Sequence, residues 1–254
     1  MNEIPPKPYE EITVKPLKFL PALGFFLIVA AIMIAMYYVV YPRWLGRFGA
    51  VNGYIFSSLA ALFTVLFVSI AFFYYLGDKN HPATWEVLRI RFSLKKLAWN
   101  DWKWILIIII PNILLTFGLG TLFRWLIDVF NISIPFPGNY ESSTIESLLK
   151  PTIFQGVMML ALLLVNIAAE ELFFRGYLYP RQEKVHGKWT WVIHSVMWWL
   201  VHAHNWFNFP TFMFNSLLIP LVWHKTKNTS ATLISHFIGN ATSLAVLYIL
   251  AYFF

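Results

Sequence analysis

Between Trp104 and Ile127 the chain carries a single charged residue, Arg124, and includes an unbroken run of isoleucines from Ile107 to Ile110. A helix crosses the bilayer core of about 30 Å with about 20 mostly apolar residues. In lipid every backbone N–H and C=O must be satisfied within the protein, as a helix does. The same pattern returns at 19–40, 53–76, 152–175, 190–208, 210–224 and 229–253. The expected fold class is therefore all-α: a polytopic transmembrane helical bundle with about seven to eight membrane helices. Composition excludes the soluble alternative, because only 12% of residues are charged, against roughly 25% in soluble domains. The chain has no cysteine, which excludes disulfides, thiolate nucleophiles and cysteine metal sites.

The basic residues are distributed unevenly. Fifteen of the Lys and Arg residues fall in the N-terminal tail, the 77–103 loop, the stretch after the fourth span and the turn before the seventh. The other side has four: Arg43, Arg47, Arg124 and Lys150. This bias predicts a cytoplasmic N-terminus and an external C-terminus. A net charge of +7 spread between apolar spans points to the anionic head groups of a lipid bilayer as partner, and not to nucleic acid. Residues 84–99 (TWEVLRIRFSLKKLAW) alternate basic and bulky apolar side chains and are expected to form an interfacial helix. Compactness and the lack of appended domains suggest a prokaryotic plasma membrane.

Three places break the apolar pattern: Glu170, Glu171 and Arg175 in "AAEELFFRG" (168–176), His202 and His204 in "WWLVHAHNW" (198–206), and His236 and Asn240 in "SHFIGN" (235–240). Ionisable groups within a span are costly and are functional candidates by default. Successive residues lie about 100° apart on an α-helix, so Glu170 and Glu171 point different ways. Glu171 and Arg175, four apart, can neutralise each other, which leaves Glu170 over. His236 and Asn240 have the same spacing and can face one point. A buried carboxylate with a neighbouring imidazole suits water activation. A second His and an Asn amide suit oxyanion stabilisation. The set Glu170, His202 and His236 can alternatively hold a divalent metal such as zinc. Plainer roles are expected elsewhere. His194 and His204 would be interhelical hydrogen-bond partners, His81, His186 and His224 solvated loop residues, Asn112 and Asn166 interhelical links, and Gly118 and Gly120 close-packing points.

Taken together, the three motifs resemble those of the CAAX prenyl protease and bacteriocin-processing (CPBP, or Abi) family of intramembrane proteases. "EELFFR" fits its EExxxR signature. Trp198 through His202 fits the motif of an aromatic followed by His, with Trp in place of the usual Phe. His236 through Asn240 fits HxxxN. The resemblance covers roughly residues 151–250 and divides one integrated membrane domain into N-terminal helices with a basic interfacial loop (1–150) and a catalytic core (151–254). It implies an endopeptidase of glutamate type or metallo type, the first being favoured, that cleaves a membrane-associated protein or peptide near the cytoplasmic face. Carried over, Glu170 is the water-activating base, supported by Glu171 and Arg175. His202 shares in that activation, with His204 as its substitute, and His236 and Asn240 stabilise the oxyanion. Two other readings of the buried charges stay open, a proton- or ion-coupled transporter and a catalytically silent scaffold of the same fold.

Overall fold

The computed structural model describes residues 14–75, 84–132 and 150–253, and among these every regular element is helical. Helix α1 (Phe19–Ala35) passes through a π turn (Met36–Val40) into α2 (Tyr41–Phe48), and α3 (Ala50–Tyr75) returns antiparallel to it. A short α4 (Trp85–Arg91) precedes the long α5 (Trp99–Val129). Then α6 (Ile153–Glu170) continues through a π segment (Glu171–Leu178) into α7 (Tyr179–His186). Helix α8 (Thr190–Val201) ends in a tight 3₁₀ stretch (His202–Asn208), followed by α9 (Phe209–Thr226) and α10 (Thr229–Phe253). Four runs are long and apolar enough to cross a membrane: Phe19–Phe48, Ala50–Ala71, Trp99–Val129 and Ile153–Asn205. The last of these contains both the fourth and fifth expected spans. Helices α9 and α10 stand where the sixth and seventh were expected but lie outside those four.

The outer surface is apolar. Ile153 is 90% exposed and Phe67 77%, a distribution that lipid accommodates and water does not. Inside, Phe26 and Val29 of α1 pack with Phe173, Phe174 and Leu178 of the π segment and with Met197, Trp198 and Val201 of α8. A second cluster joins Ile105, Ile108 and Ile109 of α5 to Val222 and Ala231. The π segment is therefore central to the bundle, with Glu171 and every residue from Phe173 to Leu178 buried.

The basic loops meet at one end of the bundle. The Leu17 N–H donates to Arg181 O (3.0 Å) and the Thr229 N–H to Ser93 O (3.0 Å). Asn228 Nδ2 donates to Asp101 Oδ2 (2.9 Å), and Lys227 pairs with Glu183. At this end Gly176 lies against Phe92. A Cβ added there would meet Phe92 O at 3.0 Å and Phe92 Cβ at 3.2 Å. Gly176→Ala is expected to lower stability by about 1–3 kcal/mol, as overpacking does. Gly24→Ala, whose Cβ would have nothing within 4 Å, is expected to have no such effect. Thermal unfolding of the two variants in detergent checks the pair.

Several expectations are corrected. The helix predicted across 84–99 covers only Trp85–Arg91. It stops because Ser93 takes a left-handed φ of 53°, so that the Leu94 N–H reaches Arg89 O (2.8 Å), the bond that closes a Schellman ending. The helix of the fourth expected span does not stop at Arg175 but continues, through the π segment and the polar α7, to His186. Gly118 is not a close-packing point, since a Cβ there would meet nothing within 4 Å. His224 is no solvated loop residue: its Nδ1 lies 3.1 Å from the Tyr179 hydroxyl and 3.6 Å from Glu183. His194, by contrast, does link helices, with its Nδ1 2.6 Å from Gln182 Oε1. His81 lies outside the described residues.

Candidate active site

The π segment shapes the first motif. An α turn of 3.6 residues leaves residues four apart about 40° out of line, and the wider π turn brings them closer to alignment. Arg175 Nη1 lies 3.1 Å from Glu171 Oε1, with both side chains wholly buried. The same oxygen lies 2.8 Å from His236 Nδ1 on α10. A carboxylate oxygen only accepts, so the imidazole donates through Nδ1 and its Nε2 is turned away from Glu171. The ion pair expected within one helix is thus also the tether of the histidine on another.

Trp198 ties in the second motif. The Arg175 guanidinium lies 3.5 Å over its ring, the close cation–π geometry that favours Arg. His202 and His236 both stand edge-on to this indole, at 5.0 Å and 5.5 Å between ring centres. One aromatic therefore touches the guanidinium and both histidines. His202 Nδ1 lies 3.1 Å from Trp198 O. A carbonyl only accepts, so Nδ1 carries the proton there and Nε2 of the neutral ring keeps its lone pair. Phe212 stacks on the other side of His202, 5.0 Å away.

The backbone leaves the α-helix at these histidines. Helix α8 has 12 residues, about 18 Å at 1.5 Å per residue, short of the bilayer core. The chain then tightens into 3₁₀ turns with a non-helical residue at Asn205. Irregular backbone at membrane depth is tolerated where it is buried in protein or lines a cavity. His204 lies to one side of the cluster, its ring 4.6 Å from Tyr37, and its carbonyl accepts from the Tyr38 hydroxyl at 3.2 Å. Both tyrosines belong to the π turn of the first span, so each of the two π interruptions borders the site.

Glu170 is set differently. Asn166 Nδ2 donates to its Oε1 at 2.7 Å, while its Oε2 is buried with no hydrogen-bond partner among the described residues. Asn166, expected as an interhelical link, instead holds Glu170 within its own helix. A cavity of about 430 Å³ lies alongside, bordered by Asn166, Asn240, Tyr37, Tyr54 and Phe212 and by apolar side chains such as Met159 and Leu162. Asn240 is thus a wall of the cavity, one turn beyond His236 on α10.

The possible metal ligand set is not assembled. Among the described residues no three His, Asp or Glu side chains stand together as ligands. His236 and His202 each use Nδ1 on a protein acceptor, Glu171 and Trp198 O, and neither is hydrogen-bonded to Glu170. Sequence reasoning missed Tyr37 and Tyr38, which have no spacing signal of their own. Asn166 could have been placed, since it lies four residues before Glu170 on one helix face.

Ionisable side chains from three helices, buried together inside an apolar helical bundle, define a membrane protein with a polar cluster below its surface. Residues 152–242 match the family model described as Type II CAAX prenyl endopeptidase Rce1-like. This segment, which contains all three motifs, is similar to the CAAX protease family of membrane endopeptidases. No curated protein and no solved structure matches the chain. The family so matched is one of endopeptidases, and the four long apolar runs of this chain are those of an integral membrane protein.

Proposed function

We propose that this protein hydrolyses a peptide bond of a membrane-associated protein or peptide by a glutamate-type mechanism with water as nucleophile. The observation that carries the assignment is the contrast between the two glutamates. A general base needs an available lone pair within reach of its proton donor. Each carboxylate keeps a buried Oε2 without a hydrogen-bond partner among the described residues, but Glu171 is committed to the Arg175 cation and to His236, whereas Glu170 is held by the neutral amide of Asn166, a residue of the cavity wall. In this reading Glu170 takes the proton of a water held with Nε2 of His202, and the hydroxide attacks the substrate carbonyl. His236 and Asn240, one turn apart, donate to the oxyanion as it forms. Glu171, bonded to Nδ1 of His236, holds that ring with its Nε2 turned away from the carboxylate. Glu170 returns the proton to the leaving amine.

His204 is the second candidate for the partner histidine, because its ring lies 6.1 Å from that of His202. His202→Ala and His204→Ala separate the two, because only the loss of the true partner should stop cleavage. The end of the bundle where the basic loops meet is assigned to the cytoplasm, with the N-terminus there and a prokaryotic plasma membrane as the setting. Residues 151–254 supply the catalytic core and 1–150 the surrounding helices and interfacial loop. The test is a comparison of protein fragments in cells carrying wild type or Glu170→Ala. Fragments present only with wild type are expected to identify the substrate. An identical fragment set from a folded, inserted variant would overturn the proposal.

A further inference from the structure

At the loop end of the bundle, well away from the ring cluster, a second pocket of about 580 Å³ is lined by Trp85, Glu86, Arg89, Lys95, Lys96 and Ser230. Three cations line it against a single carboxylate, and the backbone that carries them is firmly built. The Schellman ending of α4 closes on Arg89 O. Asn228 Oδ1 accepts from the Lys95 N–H (3.2 Å) and the Ser230 N–H (3.0 Å), while Asn228 Nδ2 donates to Asp101 Oδ2 (2.9 Å). Asn228 is 1% exposed and Asp101 6%. A buried polar clamp therefore fixes the loop, the start of α5 and the start of α10 around one opening. Like charges held together in this way repel unless an anion sits among them.

The position of the pocket narrows the anion. It lies between the end of α3 and the start of α5, where two membrane-spanning runs reach the surface. Trp85 and Trp99 stand out at 70% and 79% exposure, as tryptophans do at the level of lipid head groups. We propose that this pocket binds the phosphate of an anionic phospholipid through Arg89, Lys95, Lys96 and the Ser230 hydroxyl, with the exposed tryptophans against the glycerol and upper acyl carbons. The site is independent of the proteolytic chemistry.

The test uses the full chain in detergent micelles, with bound lipid measured by native mass spectrometry for phosphatidylglycerol and phosphatidylcholine of equal acyl length. Wild type is expected to prefer phosphatidylglycerol. Basic residues near an anionic lipid surface contribute about fivefold each, so R89A/K95A/K96A is expected to weaken phosphatidylglycerol binding by about a hundredfold. Lys95→Ala alone is expected to weaken it by about fivefold, and phosphatidylcholine binding should not change in either variant. K184A/K188A, which removes two exposed cations outside the pocket, should leave both lipids unaffected. Equal binding of the two lipids by wild type, or unchanged phosphatidylglycerol binding in the folded triple variant, would overturn the proposal. Full displacement by free glycerol phosphate at the lipid's own concentration would also overturn it, assigning the pocket to a soluble phosphoester.

Discussion

Glu170→Gln is expected to reduce cleavage by about 10²–10⁴-fold, the contribution typical of a positioned general base, while leaving the protein folded. The folding half follows from the local contacts. Asn166 Nδ2 donates to Glu170 Oε1, and a glutamine keeps an amide oxygen that can accept the same bond. The other oxygen has no partner among the described residues, so no ion pair is broken and no buried charge is stranded. The catalytic half follows because an amide cannot take up a proton from water near neutral pH. Initial rates on the substrate identified by the fragment comparison, with thermal unfolding run in parallel, check both halves. A variant that retains cleavage would remove Glu170 from the mechanism. One that unfolds would give it a structural role.

Arg175→Ala is expected to fail in the opposite way, through stability first. Arg175 and Glu171 are both wholly buried, and removing one member of such a pair strands the other, at a cost of about 3–5 kcal/mol. The guanidinium also covers the Trp198 ring, so the substitution loses packing as well as charge. Replacing both residues together, as Glu171→Met with Arg175→Met, removes the stranded charge, and buried pairs exchanged for apolar residues of similar size are often close to neutral in stability. The double variant should therefore fold better than Arg175→Ala. It should still lose about 10²-fold or more in cleavage, because His236 no longer has its carboxylate and the oxyanion donor is no longer held. Thermal unfolding separates the two variants, and rates on the double variant show whether the pair acts on chemistry through His236. Full activity in a stable double variant would make the pair purely structural.

Much of the candidate site is legible in the sequence because its residues are anomalies. Glu170, Glu171, Arg175, His202 and His236 stand out where a lipid-facing helix would carry leucine. The i to i+4 pairing of Glu171 with Arg175 needed only helical geometry, and the ion pair forms. Periodicity could not reveal the π segment at Glu171–Leu178, since one additional residue in a turn leaves no mark on an apolar run. Nor could it show where the 84–99 helix stops, because Ser93 is an unusual occupant of the left-handed position that ends it.

The sequence by itself determined that this chain lives in a membrane and that its second half carries buried charge on three helices. These are local properties, set by runs of side chains too apolar for water and by single residues too polar for lipid. Tertiary structure decided who pairs with whom. It gave Glu171 a partner 65 residues away in His236, set Trp198 against one guanidinium and two imidazoles, and left Glu170 on Asn166 at the cavity wall. Spacing along one helix fixes which residues share a face. How neighbouring helices are rotated and how deep each one sits is fixed by packing between them, to which no single segment holds the answer.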